Sequence, residues 1–232
     1  MAANVQNVIV LFGDSLTQWS WRTGGLAQRL AADYARKLDV LNRGINGYQT
    51  KWAIPVLKQI SAKQHEQLHV PKVELLTIWF GANDAAPPPS PQHVSRDEYM
   101  QNLTYLIDTI RSPTSPHYSP RTRIILITPP PVNSFQRPER NFDMTKSYAE
   151  AAKTTGAALR LPVADVWTEI WEASGKDEKA LEKYLCDGLH LNAAGYEIVY
   201  NSVMSIIEEK YPEIHYDKLP MTFPPWAEIP KD

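Results

Sequence analysis

The chain holds a single cysteine in 232 residues, Cys186, so no disulfide can form within it. A lone cysteine of this kind reads as a small buried apolar side chain rather than a reactive thiol. An excess of one charge is also missing, since 24 basic and 26 acidic side chains leave a net charge of −2. That near-balance offers no electrostatic footprint for nucleic acid or for an anionic membrane surface. No apolar run approaches the length of a membrane span. The N-terminal apolar stretch is too short for a secretory signal and lacks its basic flank, which makes the cytoplasm the default location. Without that signal, Asn102-Leu103-Thr104 reads as part of a helix rather than as a glycosylation acceptor. There is no repeat of fixed period and no clear linker. Residues 1–232 are therefore read as one domain with an irregular, proline-rich tail from 212.

What is present is an alternation of short apolar runs with amphipathic stretches. Val8–Phe12, Leu38–Leu41, Val73–Phe80, Arg123–Thr128 and Pro162–Val166 read as strands. Helical patterns fall over Leu26–Arg36, Tyr99–Ile110, Met144–Leu159 and Ala193–Lys210. In the last of these Val199, Val203, Ile206 and Ile207 share one face, the stripe of a helix packed on a sheet. The expected fold class is α/β, a flavodoxin-like three-layer α/β/α sandwich around a parallel sheet of about five strands.

Chemistry-bearing residues cluster where those strands end. Gly13-Asp14-Ser15 closes the first strand, and ligands of open α/β sheets bind beyond the carboxyl ends of such strands. Ser15 is thus a candidate nucleophile, and a serine hydroxyl needs a neutral imidazole that is itself oriented by a carboxylate. Asp187-Gly188-Leu189-His190 can supply both from one turn, although the same residues also read as a polar lead-in to a helix capped by Asn192. Gly44, past the second strand, can bring a bare backbone N–H to a ligand, or can be an ordinary glycine turn. Asn83, past the third strand, can donate a side-chain amide hydrogen, or can be a turn-forming residue. Asp14 and Asp84 are read as holding their turns, and Arg43 as a scaffold residue or an anion contact.

The blocks Gly13-Asp14-Ser15-Leu16, Gly44, Gly81-x-Asn83-Asp84 and Asp187-x-x-His190, in that order, resemble the SGNH (GDSL-type) hydrolase superfamily. Asn42-Arg43-Gly44 with Gly47-Tyr48 and Trp52-Ala53 is similar to its isoamyl-acetate-hydrolysing branch. The resemblance implies Ser15 as nucleophile, His190 as base and Asp187 as its orienting acid. It also implies an oxyanion hole made of the Ser15 and Gly44 N–H groups and the Asn83 side chain. Short-chain acetate esters of small alcohols would be the substrates, with no cofactor and no metal.

Other features admit other readings. Trp19, Trp21 and Trp52 can line an apolar substrate pocket, whereas Trp79, within a strand, reads as core. His65-Glu66-Gln67-Leu68-His69 matches H-E-x-x-H, which on a helix would make a zinc-dependent hydrolase, with Glu98 as a conceivable third ligand. Against it stand the polar surroundings and Pro71, which favour a solvated helix end. His93, His117 and His215 fall in loop-like sequence and read as surface residues. The tail aromatics Phe223 and Trp226 suit either docking on the body or a homodimer contact. A non-catalytic binding module at the same sheet edge is the remaining alternative.

Overall fold

The structure, a computed structural model, describes residues 5–229. Five parallel strands form one sheet: β1 (Asn7–Gly13), β2 (Leu38–Gly44), β3 (Val73–Trp79), β4 (Arg123–Ile127) and β5 (Val163–Ala164). Their order across the sheet is β2-β1-β3-β4-β5, the doubly wound flavodoxin-like arrangement. The helices are α1 (Ser15–Gln18), α2 (Leu26–Asp33), α3 (Thr50–Ile60), α4 (Arg96–Arg111), α5 (Phe142–Ala158), α6 (Val166–Ala173) and α7 (Ala193–Lys210).

Strand side chains alternate between faces, so each apolar run feeds two cores. Ile9 and Leu11 pack with α2, α6 and α7 through Leu30, Ile170, Val199 and Val203. Val8, Val10 and Phe12 pack on the other face with α3, α4 and α5 through Leu57, Leu103 and Ala152. The three expected layers are therefore present. Asn192 caps α7 as anticipated, its Oδ1 accepting the N–H groups of Ala194 and Gly195 at 3.0 and 3.1 Å. Asn102 lies buried within α4 and donates to Thr50 Oγ1 at 3.0 Å, as its helical reading required.

Several local expectations change. The run Pro162–Val166 forms only a two-residue strand, because Asp165 caps α6 through the Thr168 N–H and takes the chain out of the sheet. Cys186 is exposed rather than buried. Its neighbour Leu185 bridges Leu191, both facing inward, and alternation along the bridge turns residue 186 outward. The tail from 212 docks on the body as far as Pro224. Tyr34 Oη donates to Ile214 O, Lys37 Nζ to Tyr216 O, and Arg36 Nη2 to the carbonyls of Phe223 and Pro224. Trp226 stays 85% exposed.

Candidate active site

β1 ends at Gly13, and Asp14 turns the chain into α1, with its Oδ1 accepting the Leu16 N–H at 2.9 Å as an N-cap. Ser15 is the first residue of α1, a position whose N–H has no partner within a helix. The loop before α7 reaches this point from the far end of the chain. His190 Nε2 lies 2.9 Å from Ser15 Oγ, and His190 Nδ1 lies 2.7 Å from Asp187 Oδ2. Asp187 Oδ1 also accepts the N–H groups of Leu189 and His190, at 3.0 and 2.7 Å, so one carboxylate shapes the loop and orients the ring. Three of the predicted residues, 175 positions apart at the extremes of Ser15 and His190, thus form one hydrogen-bonded chain.

The charges follow from these contacts. Partial burial works against ionisation of Asp187, but the hydrogen bonds from His190 and Leu189 prevail and hold its pKa at about 2. Burial lowers His190 below its ordinary value, Asp187 opposes that, and the Arg137 and Arg140 cations add to the lowering. The imidazole is therefore neutral at neutral pH, with Nδ1 protonated toward Asp187 and the Nε2 lone pair toward Ser15. Asp14 is the reverse case: burial raises its carboxyl to about 7, and Asp84 nearby adds to the rise. Asp84, also buried, is raised to about 6 while its Oδ1 accepts the Thr50 N–H at the start of α3. Asp14 holds its own turn, as expected, whereas Asp84 ties its turn to the start of α3.

Asn83 lies at the same rim. Its Nδ2 donates one hydrogen to Tyr48 O at 2.8 Å, and its Oδ1 accepts from Gln92 Nε2 at 3.2 Å and Arg140 Nη2 at 3.4 Å. The second Nδ2 hydrogen is thereby oriented without being consumed. Gly44 departs from expectation. Its N–H is already donated to Asn42 Oδ1 at 2.9 Å, and a Cβ there would meet Gln18 N at 2.0 Å. Gly44 is thus needed for close packing of β2 against α1, not as a free donor. Three residues on, Gly47 has a φ of +79°, and its N–H finds no acceptor among the described residues. Its carbonyl accepts Gln92 Nε2 at 2.8 Å, which ties the Gly47 peptide to Asn83.

The segment after β4 supplies residues without any sequence signature. Arg137 Nη1 donates to Asp187 Oδ2 at 2.7 Å, and Arg140 Nη1 donates to Ala82 O at 2.7 Å. Asn133 N–H donates to Gly188 O at 2.8 Å. One loop thus grips both the acid-bearing turn and the Asn83 turn. Of the tryptophans, Trp19 stacks on the His190 ring with centroids 3.8 Å apart, which places it beside the base. Trp21 and Trp52 are 48% and 40% exposed, with Trp52 packed edge-on against Tyr48, and Trp79 is core. Arg43 is exposed.

His65, Glu66 and His69 do not form a metal site. Helix α3 ends at Ile60, and 64–69 is a series of turns, so the i and i+4 imidazoles share no helix face. Glu98 pairs with Lys51 instead. No cluster of three or more potential metal ligands occurs among the described residues. His117, expected at the surface, is buried, with Nδ1 donating to Ser61 O at 2.8 Å.

Known proteins resemble the chain over most of its length. The chain is 34% identical over 233 residues to the isoamyl acetate-hydrolyzing esterase 1 homolog of Homo sapiens, covering 95% of this chain and 87% of that one. A GDSL esterase/lipase of Arabidopsis thaliana is 34% identical over 239 residues, covering 95% and 93%. The crystal structure of a lipase/acylhydrolase from Enterococcus faecalis superposes with a TM-score of 0.66 at 28% identity, covering 93% and 98%. Residues 11–198 match the GDSL-like lipase/acylhydrolase family, and the chain belongs to it.

Proposed function

We propose that this single-domain hydrolase is a serine esterase that cleaves short-chain acetate esters of small alcohols through an acyl-enzyme. The observation that carries the reading is the unbroken relay from Asp187 through His190 to Ser15, with contacts of 2.7 and 2.9 Å. In this reading Ser15 Oγ attacks the ester carbonyl while His190 Nε2 takes its proton. The developing oxyanion accepts hydrogen bonds from the Ser15 N–H, the spare Asn83 amide hydrogen and the Gly47 N–H, which replaces Gly44 in that role. The imidazolium returns its proton to the alcohol as it leaves, and water, activated by the same histidine, releases the acid. The preference for acetate draws support from the relatives named for isoamyl acetate hydrolysis.

Ser15→Ala tests the reading directly. Hydrolysis of p-nitrophenyl acetate and isoamyl acetate should fall by roughly four to six decades with the fold intact. Near-normal turnover in that variant would remove Ser15 as nucleophile. Faster hydrolysis of long-chain than of acetyl esters by the unaltered protein would overturn the proposed substrate class.

A further inference from the structure

Away from Ser15, where β1, β3 and β4 begin, the fold contains a cavity of about 400 Å³. This volume lies within the range of small-molecule sites. Its floor is apolar and deeply buried, formed by Val10, Leu57, Leu76 and Ile110. Its roof is the segment 61–70, which contains the H-E-x-x-H residues that have no role at the Ser15 rim. Four hydrogen bonds pin that roof to 115–118: His117 Nδ1 to Ser61 O, Gln64 N and Nε2 to the carbonyls of Pro116 and Ser115, and Gln67 Nε2 to Tyr118 O. A roof tied in this way does not collapse onto the floor.

The charged groups of the wall are unevenly satisfied. Arg123 pairs with Glu74 at 2.9 Å and with Glu213 at 2.6 Å, and Glu74 also accepts from Asn7. Lys72 and Arg121 are also among the lining residues; both are exposed, and their side chains have no acceptor among the described residues. The cavity therefore combines an apolar floor with two exposed cationic residues that hold no ion-pair partner among the described residues. We propose that it binds an amphipathic monocarboxylate of medium chain length. The chain would lie on Val10, Leu57, Leu76 and Ile110, and the carboxylate on Lys72 and the guanidinium of Arg121, whose fork matches two carboxylate oxygens. A short acid forfeits the burial of the chain, and an alcohol leaves both cations unneutralised. The site is separate from the Ser15 rim and does not depend on ester hydrolysis there.

Octanoate titrated into ¹⁵N-labelled protein tests this, read by amide chemical shifts. Saturable shifts are expected at Ser61, Ala62, Val73 and Ile110. Octanol, acetate and octylamine should each bind at least roughly tenfold more weakly than octanoate, as should octanoate to the Lys72→Ala/Arg121→Ala double variant. Shifts confined to the surroundings of Ser15, or none that saturate, would overturn the assignment. So would octanol binding as tightly as octanoate, or a double variant that binds octanoate like the unaltered protein.

Discussion

Asp14 lies one residue before Ser15, and Asp187 lies three before His190, yet their carboxyls occupy opposite settings. Asp187 keeps 37% of its side chain exposed and accepts from Leu189 N–H, His190 N–H, His190 Nδ1 and Arg137, which leaves it ionised with a pKa of about 2. Asp14 is wholly buried and accepts a single N–H, its Oδ2 has no partner among the described residues, and its pKa rises to about 7. Nearness to the reacting hydroxyl therefore does not decide which acid serves it. Burial, and then the number of donors turned toward a carboxylate, set its charge state.

The largest effect that would sharpen this contrast is on turnover. Asp187→Asn should reduce kcat/KM for p-nitrophenyl acetate by about 10⁴-fold, because an amide cannot hold the required imidazole tautomer. Asp14→Asn retains an acceptor for Leu16 and should stay within about tenfold of the parent. Equal losses in the two variants would erase the distinction.

The same pair should differ in stability. Folded Asp14 keeps a proton that the unfolded chain has released, since its pKa is raised from 3.8 to about 7. Its contribution is thus most favourable below about pH 4 and is lost as pH climbs toward 7. Asp14→Asn, neutral throughout, should gain on the parent by up to about 4 kcal/mol between pH 4 and pH 8. Denaturant unfolding across that range measures the gain, and parallel curves for the two proteins would contradict the buried, protonated acid.

Next in size comes the oxyanion side of the rim. Asn83→Ala should lower kcat by roughly 10²–10³-fold. Gln92→Ala removes one of the bonds that orient Asn83 and should cost about tenfold in kcat with KM little changed. A Gln92 effect confined to KM would mean that this residue acts on substrate rather than on the amide.

These residues also mark what the sequence could and could not convey. Strand positions, the span 193–210 of α7 and the Asp187–His190 pair were legible because apolar periodicity and short-range spacing encode them locally, whereas the joining of Ser15 to His190, 175 positions on, came from the family resemblance. Helix α3 was not, since Pro55 lies inside it and reads as a break. Gly44 was the expected donor, but Asn42 Oδ1 takes its N–H, a side-chain contact that no spacing announces. Arg137, Arg140 and Gln92 carry no motif. The roles of Arg137 and Arg140 arise where the loop after β4 meets two turns remote in the chain, and that of Gln92 where the loop after β3 meets the Gly47 turn.

The smallest effect probes the arginines through the base itself. His190 must be neutral to accept a proton, and its pKa lies below the ordinary histidine value, first through burial and then through Arg137 and Arg140, against the pull of Asp187. Activity should therefore persist as pH falls through about 6.5 and decline only on the acid side of that value. Arg137→Gln removes a cation that repels the imidazolium and frees Asp187 Oδ2 for Nδ1 alone, and both changes favour the protonated ring. The acid limb of kcat/KM should then move to higher pH, by roughly half a unit or less because the ion pair is partly solvated. Movement to lower pH would show that Arg137 acts chiefly by keeping Asp187 in place, with its repulsion of the imidazolium secondary.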